Sequence, residues 1–331
     1  MKDISKKFAL NLQLFNNTNL TTDSALSVEM KTFYSDYLID NAKPLLVHDQ
    51  FGQKHPIPKN GGKVIEFRKY SPLAKALTPI TEGVTPNGNK LNVSKITAEI
   101  EQFGDYIELS DVLLLTAIDN NLVEATKLLG NQAGETLDTI TREVLMEGSN
   151  VQYAGGAADR TALTASNKLT VDDCFRAARF LKTQKAKKIN GYYVAIIHPD
   201  VAYDLMRSED WVNAAQYAGS SQLFEGEIGR VGGIRFVETT EAKIFAKGLE
   251  GNNASKDVYA TLVLGADAYG ITDVEGGGLQ HIVKQLGSSG TADPLNQRAT
   301  VGWKAIKTAE ILVENFMIRI ESCSTFDSGA N

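Results

Sequence analysis

Histidine is the side chain best suited to proton transfer or metal binding near neutral pH, and the chain has four, at positions 48, 55, 198 and 281. No two of them have the His-Glu-x-x-His spacing that sets both imidazoles on one helix face, or any other metal-ligand spacing. His198 stands before Pro199, where an apolar run gives way to a helix, a place where active sites often sit. No serine or cysteine nucleophile is tied to it by a recognised motif. A turn or helix-start role is therefore expected, with a hydrolase-like enzyme on residues 161–300 as the alternative. Cys174 and Cys323 form no Cys-x-x-Cys pattern, so neither a disulfide framework nor a zinc site is expected. Both are expected to be reduced and buried.

Glycine and carboxylate patterns are equally unproductive. Gly226 to Gly233 lacks the Gly-x-Gly-x-x-Gly spacing of a dinucleotide site and reads as turns before a strand. Gly62-Lys63 is followed by Val64, where a phosphate loop places its magnesium-binding Ser or Thr. Gly287 to Gly290 does not match a nucleophile elbow. The pairs Asp172/Asp173, Glu99/Glu101 and Glu108/Asp111 read as helix starts or solvated faces. No catalytic residue, cofactor or metal is assigned.

Lys182, Lys185, Lys187 and Lys188 form the sharpest basic cluster. It could serve a nucleic-acid-binding module, although cations at a helix end are expected from the dipole alone. Thirty-four Lys and Arg against 40 Asp and Glu leave a net charge of −6, unsuited to a protein whose main task is gripping phosphates.

Around these residues, 331 positions provide about two domains' worth of core. Hydrophobic residues at 43% and charged residues at 22% are ordinary for a globular protein, and no apolar run is long enough for a transmembrane helix. Residues 1 to about 24 read as a polar arm and make a poor secretory signal. Leu26, Met30, Phe33 and Tyr37 then predict an amphipathic helix ending by Pro44. Ten Gly and Pro residues between 52 and 88 exclude a long helix, while 63–70 and 91–109 alternate as strands. The spacing therefore predicts a long two-stranded excursion. Such a ribbon is marginal alone and must lie on its own body or on a neighbour.

Residues 119–148 predict a helix of about 40 Å, with a stripe of Leu122, Leu129, Ala133, Leu137, Ile140 and Val144; Gly130 and Gly134 permit another element to approach. Thr170 with Asp173 predicts a capped helix running towards Lys188, and 192–197 a buried strand. Later strands are expected over 233–238, 258–264, 278–286 and 311–322. The irregular mixture favours an α+β fold.

Several strings in this order resemble the HK97-fold major capsid proteins of tailed bacteriophages or prophages. They are Leu12 to Phe15, Val47 to Gly52, Pro58 to Lys63, Leu77-Thr78-Pro79 with Thr81-Glu82-Gly83, Gly134 to Leu145, His198-Pro199-Asp200, Gly232 to Thr239 and Gly302 to Ala305. The resemblance implies an HK97-like fold with an N-terminal arm over 1–50 and an extended β-ribbon loop over 51–110. A peripheral domain with a long spine helix is implied for 111–160 and 301–331, and an axial domain for 161–300.

It implies a structural shell subunit that is not an enzyme, assembling into hexamers and pentamers of an icosahedral phage head around double-stranded DNA. Scaffolding, portal and decoration proteins are the implied partners besides copies of itself. Neither sequence-specific DNA binding nor a membrane is implied. The location is the virion capsid, assembled in the cytoplasm of a bacterial host. Contacts between copies are then expected at Phe33, Tyr37, Lys59, Asn60, Ile65, Phe67, Ile96 and Ile100. Some relatives cross-link neighbours through Lys and Asn, but no motif carries that chemistry to Lys59 and Asn60.

Overall fold

The computed structural model describes residues 38, 40–42, 46–56, 63–70, 73–80, 82–83, 85, 88–116, 121–211, 227–248, 256–272, 278–288, 293–329 and 331. Most of the amphipathic helix expected before Pro44 lies outside them; Leu38 and residues 40–42 are helical.

The strands are β1 (Gln53–His55), β2 (Val64–Tyr70), β3 (Val93–Glu99), β4 (Glu101–Ser110), β5 (Val151–Tyr153), β6 (Tyr193–Ile197), β7 (Glu227–Val231), β8 (Ile234–Glu238), β9 (Ile244–Phe245), β10 (Val258–Leu264), β11 (Tyr269–Thr272), β12 (Leu279–Lys284), β13 (Arg298–Lys307), β14 (Ala309–Ile311) and β15 (Met317–Cys323). Among the described residues, α-helices span Asp111–Thr116, Asn121–Met146, Val171–Thr183 and Pro199–Met206.

The largest sheet has the order β5-β15-β10-β6-β8-β7, with β9 also on β10. Its centre is built from runs that are apolar almost throughout: every residue of β6 and β10 is buried, as a strand covered on both faces requires. The Val171–Thr183 and Pro199–Met206 helices cover one face, where Cys174, Ala178, Leu181, Val201 and Leu205 meet Ala195, Ile197 and Phe236. The expected cap at Thr170 is present as a reciprocal capping box with Asp173, and Pro199 occupies the first turn of its helix.

The 26-residue Asn121–Met146 helix is about 39 Å long. It lies on a second sheet, β12-β13-β4, through Leu129, Ala133 and Leu137 against Leu279, Val301, Trp303 and Ala305. Leu38 and Ala42 complete this core from the other side. A Cβ on Gly130 would stand 2.9 Å from the Leu38 carbonyl oxygen, so this glycine is where the N-terminal helical residues cross the long helix.

Three readings are corrected. The glycine cluster before residue 233 is mostly strand: β7 pairs with β8, and Gly232 and Gly233, both at positive φ, form the two-residue turn between them. The capped helix stops at Thr183, and Lys185 already has a φ of 59°, so the four lysines do not share one helix end. The ten-residue β13, which joins β12 to β4, was not expected as a strand because Gly302 interrupts its pattern. A Cβ at Gly302 would lie 2.8 Å from both the Asp105 oxygen and Tyr106 Cβ, so close backbone approach explains the residue.

Candidate assembly surfaces and a buried polar seam

The excursion forms as a two-stranded ribbon, with β2 and β3 antiparallel from Val64↔Glu99 to Tyr70↔Val93. Alternation gives it two faces. On the inner face Ile65, Phe67 and Ala98 are buried with Leu312, while Ile96, Ile100 and Val313 pack around them. The Phe67 ring lies over Gly270, where a Cβ would stand only 2.5 Å from a ring carbon, and meets His55 edge-on at 4.8 Å. Four of the expected contact residues, Ile65, Phe67, Ile96 and Ile100, thus root the ribbon on its own chain. The other four, Phe33, Tyr37, Lys59 and Asn60, lie outside the described residues.

Beyond this root the apolar side chains face outward. Leu77 and Ile80 are 81% and 76% exposed, and Leu73 and Leu91 are exposed with them, as are Val64 and Val93 on the opposite face of the ribbon. A second exposed apolar group lies where β4 turns into the Asp111–Thr116 helix: Val112, Leu113 and Leu115, the last 82% exposed; Leu128 on the long helix is exposed as well. Isolated surface leucines are ordinary, but apolar residues gathered along one limb are a surface that gains from being covered.

The residues singled out for chemistry have structural places. His198 caps its helix, its Nδ1 accepting the Asp200 N–H at 3.2 Å, and its ring lies 5.1 Å from that of Tyr259. Burial lowers its pKa, and the Asp200 carboxylate opposes that shift. Lys182, Lys185, Lys187 and Lys188 are all exposed. Cys174 and Cys323 are free and buried; burial pushes their thiols up to about 12 and about 11. Among the described residues no His, Cys, Asp and Glu group could hold a metal ion, and no helix is long and apolar enough to cross a membrane.

The densest polar geometry is elsewhere, in a seam between residues 48–49, the long helix and the end of β13. The His48 backbone N–H donates to Asp138 Oδ1 at 2.7 Å, and His48 Nδ1 lies 2.6 Å from Asp138 Oδ2. Thr141 donates its hydroxyl to Asp49 Oδ1 at 2.6 Å, and Lys307 Nζ reaches Asp49 Oδ2. The Tyr269 hydroxyl donates to the His48 carbonyl. Burial, reinforced by the charges of Asp49 and Asp138, raises the Tyr269 pKa far up, which keeps it a neutral donor. None of these six residues is more than 5% exposed. Buried charges are tolerated only when paired, and here each carboxylate has its own partner.

A profile of the phage capsid protein family matches residues 118–287. The chain belongs to this family. It is therefore a structural protein of a phage capsid shell, and nothing supports the hydrolase alternative. No curated protein matches the sequence. Among solved structures, the capsid of the cyanophage P-SCSP1u is similar at a TM-score of 0.64 and 15% identity, covering 85% of this chain and 89% of that one. The capsid of Ralstonia phage GP4 is similar at 0.63 and 16%, covering 82% and 86%. The capsid of Helicobacter pylori bacteriophage KHP30 gives 0.63 and 10%, covering 82% and 87%. The capsid protein thus has the expected α+β, HK97-like fold.

The expected stripe of the capsid protein's long helix left out its polar members. Leu129, Ala133 and Leu137 are buried, but so are Thr126, Asp138, Thr141 and Arg142. The signal was present: 126, 129, 130, 133, 134, 137, 138, 141, 142 and 145 keep one three-and-four register, and the polar residues occupy core positions within it.

Proposed function

We propose that copies of this capsid protein assemble into hexamers and pentamers that close an icosahedral head around double-stranded DNA. Its role is architectural, without catalysis, and assembly takes place in the cytoplasm of a bacterial host. Scaffolding, portal and decoration proteins are its proposed partners. The net charge of −6 supports a shell that encloses DNA without gripping it by sequence. In this reading residues 1–50 are the arm, 51–110 the ribbon loop, 111–160 with 301–331 the peripheral domain, and 161–300 the axial domain.

The observation that carries the reading is the division of the ribbon into a root buried on its own chain and an outer part with exposed Leu73, Leu77, Ile80 and Leu91. We assign contacts between copies to that outer part, with the Val112, Leu113 and Leu115 ledge as its complement, and keep Phe33, Tyr37, Lys59 and Asn60 as proposed contacts. Ile65, Phe67, Ile96 and Ile100 act indirectly, by fixing the direction in which the limb leaves the body.

The test is the double variant Leu77→Asp, Ile80→Asp. Its circular dichroism should match the parent, while sedimentation and electron microscopy should find capsomers or shells only for the parent. Normal assembly of the variant would remove these residues from the interface.

A further inference from the structure

We propose that Lys307 and Asp49 condense into an isopeptide bond within one chain. They stand 258 positions apart and meet with their charged ends in contact inside the seam, where the Lys307 side chain is 0% and the Asp49 side chain 7% exposed. Neither group can exchange its partner for bulk water.

The hydrogen-bond inventory favours an amide over a lasting ion pair. An ammonium carries three N–H donors. Among the described residues, Lys307 Nζ has a single partner, Asp49 Oδ2, so two donors on a buried cation go unmatched. Unmatched donors on a buried charge are costly. Condensation removes both charges and leaves one neutral N–H.

The neighbouring groups suit the reaction. The condensation begins with the passage of one proton from Nζ to Oδ2 along their contact, which leaves an amine facing a carboxylic acid. Thr141 donates to the other oxygen, Oδ1, and polarises the carbonyl. The Nζ lone pair adds to Asp49 Cγ, forming the C–N bond. A second proton passes from nitrogen to Oδ2, the Cγ–Oδ2 bond breaks, and one water leaves. Oδ1 remains as the amide oxygen, held by Thr141. No oxidant or second reactant is required. Two groups held in contact by the fold react as though at about 10⁵–10⁸ M, which offsets the poor reactivity of an unactivated acid.

The bond would tie the residues leading in from the N-terminal arm to the end of β13. It does not depend on assembly, so it can be tested on unassembled protein. The experiment is the intact mass of the denatured full chain, followed by peptide mapping. The parent should weigh one water less than its sequence and yield a branched peptide joining Asp49 to Lys307. Lys307→Arg, which keeps the ion pair but not the nucleophile, should have its full sequence mass. Asp49→Asn should expel ammonia instead of water and reach the same product mass as the parent. A parent at full sequence mass, or a water loss that persists in Lys307→Arg, would overturn the proposal.

Discussion

His48 holds Asp138 twice, through its backbone N–H at 2.7 Å and its ring Nδ1 at 2.6 Å, and so fastens the residues before β1 to the middle of the long helix. Both residues are buried, and the chain between them includes the whole ribbon. Asp138→Ala would leave His48 facing a void with its backbone donor unmatched. Each buried group stranded without its hydrogen-bond partner costs about 1–3 kcal/mol, and both the backbone N–H and the ring of His48 lose theirs. Urea unfolding should show a loss of that size; a change below about 1 kcal/mol, the scale of an exposed pair, would mean the seam does not hold the fold together.

Gly130→Ala sets two effects against each other. Alanine in place of an interior helical glycine contributes about 0.5–1 kcal/mol. The added Cβ would stand 2.9 Å from the Leu38 carbonyl oxygen and 3.0 Å from Asn41 Cβ, so the crossing segment must move. Overpacking of this kind costs about 1–3 kcal/mol. The variant should be less stable and cleaved faster by protease near residues 38–42. A more stable variant would show that the crossing is not close.

Acid should loosen the C-terminal segment. Burial by itself would raise the Asp204 carboxyl, but hydrogen bonds from Thr325, Ser324 and Lys168 outweigh it and hold the pKa below the usual carboxylate value. Asp327 is held down in the same way: burial would raise it, and Lys256 and the Asp257 backbone N–H more than reverse that. A depressed folded-state pKa means stability that is present above the unfolded value of about 4 and lost as pH falls through the folded value. Hydrogen exchange of residues 324–329 should therefore accelerate below about pH 4, ahead of the β10 and β15 core. Asp204→Asn should flatten that acid response; an unchanged response would assign it to other carboxylates.

Replacing residues 71–92 with Asn-Gly should leave the root of the ribbon intact, because Tyr70 and Val93 are partners that a two-residue turn can join. The shortened chain should unfold at nearly the same urea concentration as the parent. A large loss of stability would mean that the outer limb supports its own body.

Much of this architecture was legible in the sequence, and the failures have physical causes. The buried β6, the capping box at Thr170 and the proline-started helix were visible because each rests on residues within one short segment. β13 was hidden because Gly302 belongs to a close approach across strands, which only the folded neighbour explains. The ribbon was legible as a ribbon, but nothing in its alternation shows which face its own chain covers. That depends on Leu312 and Gly270, which lie far along the chain beyond the ribbon. The seam is hidden from polarity alone, because Asp138 and Thr141 are polar residues whose helical register places them inside.

The most direct measurement is sedimentation velocity with electron microscopy of the purified full-length chain at rising concentration, alone and with the proposed scaffolding partner. The account predicts capsomers and closed shells, with the Leu73 to Leu91 limb protected from hydrogen exchange only in the assembled fraction. A compact monomer at every concentration, with that limb already protected, would contradict it.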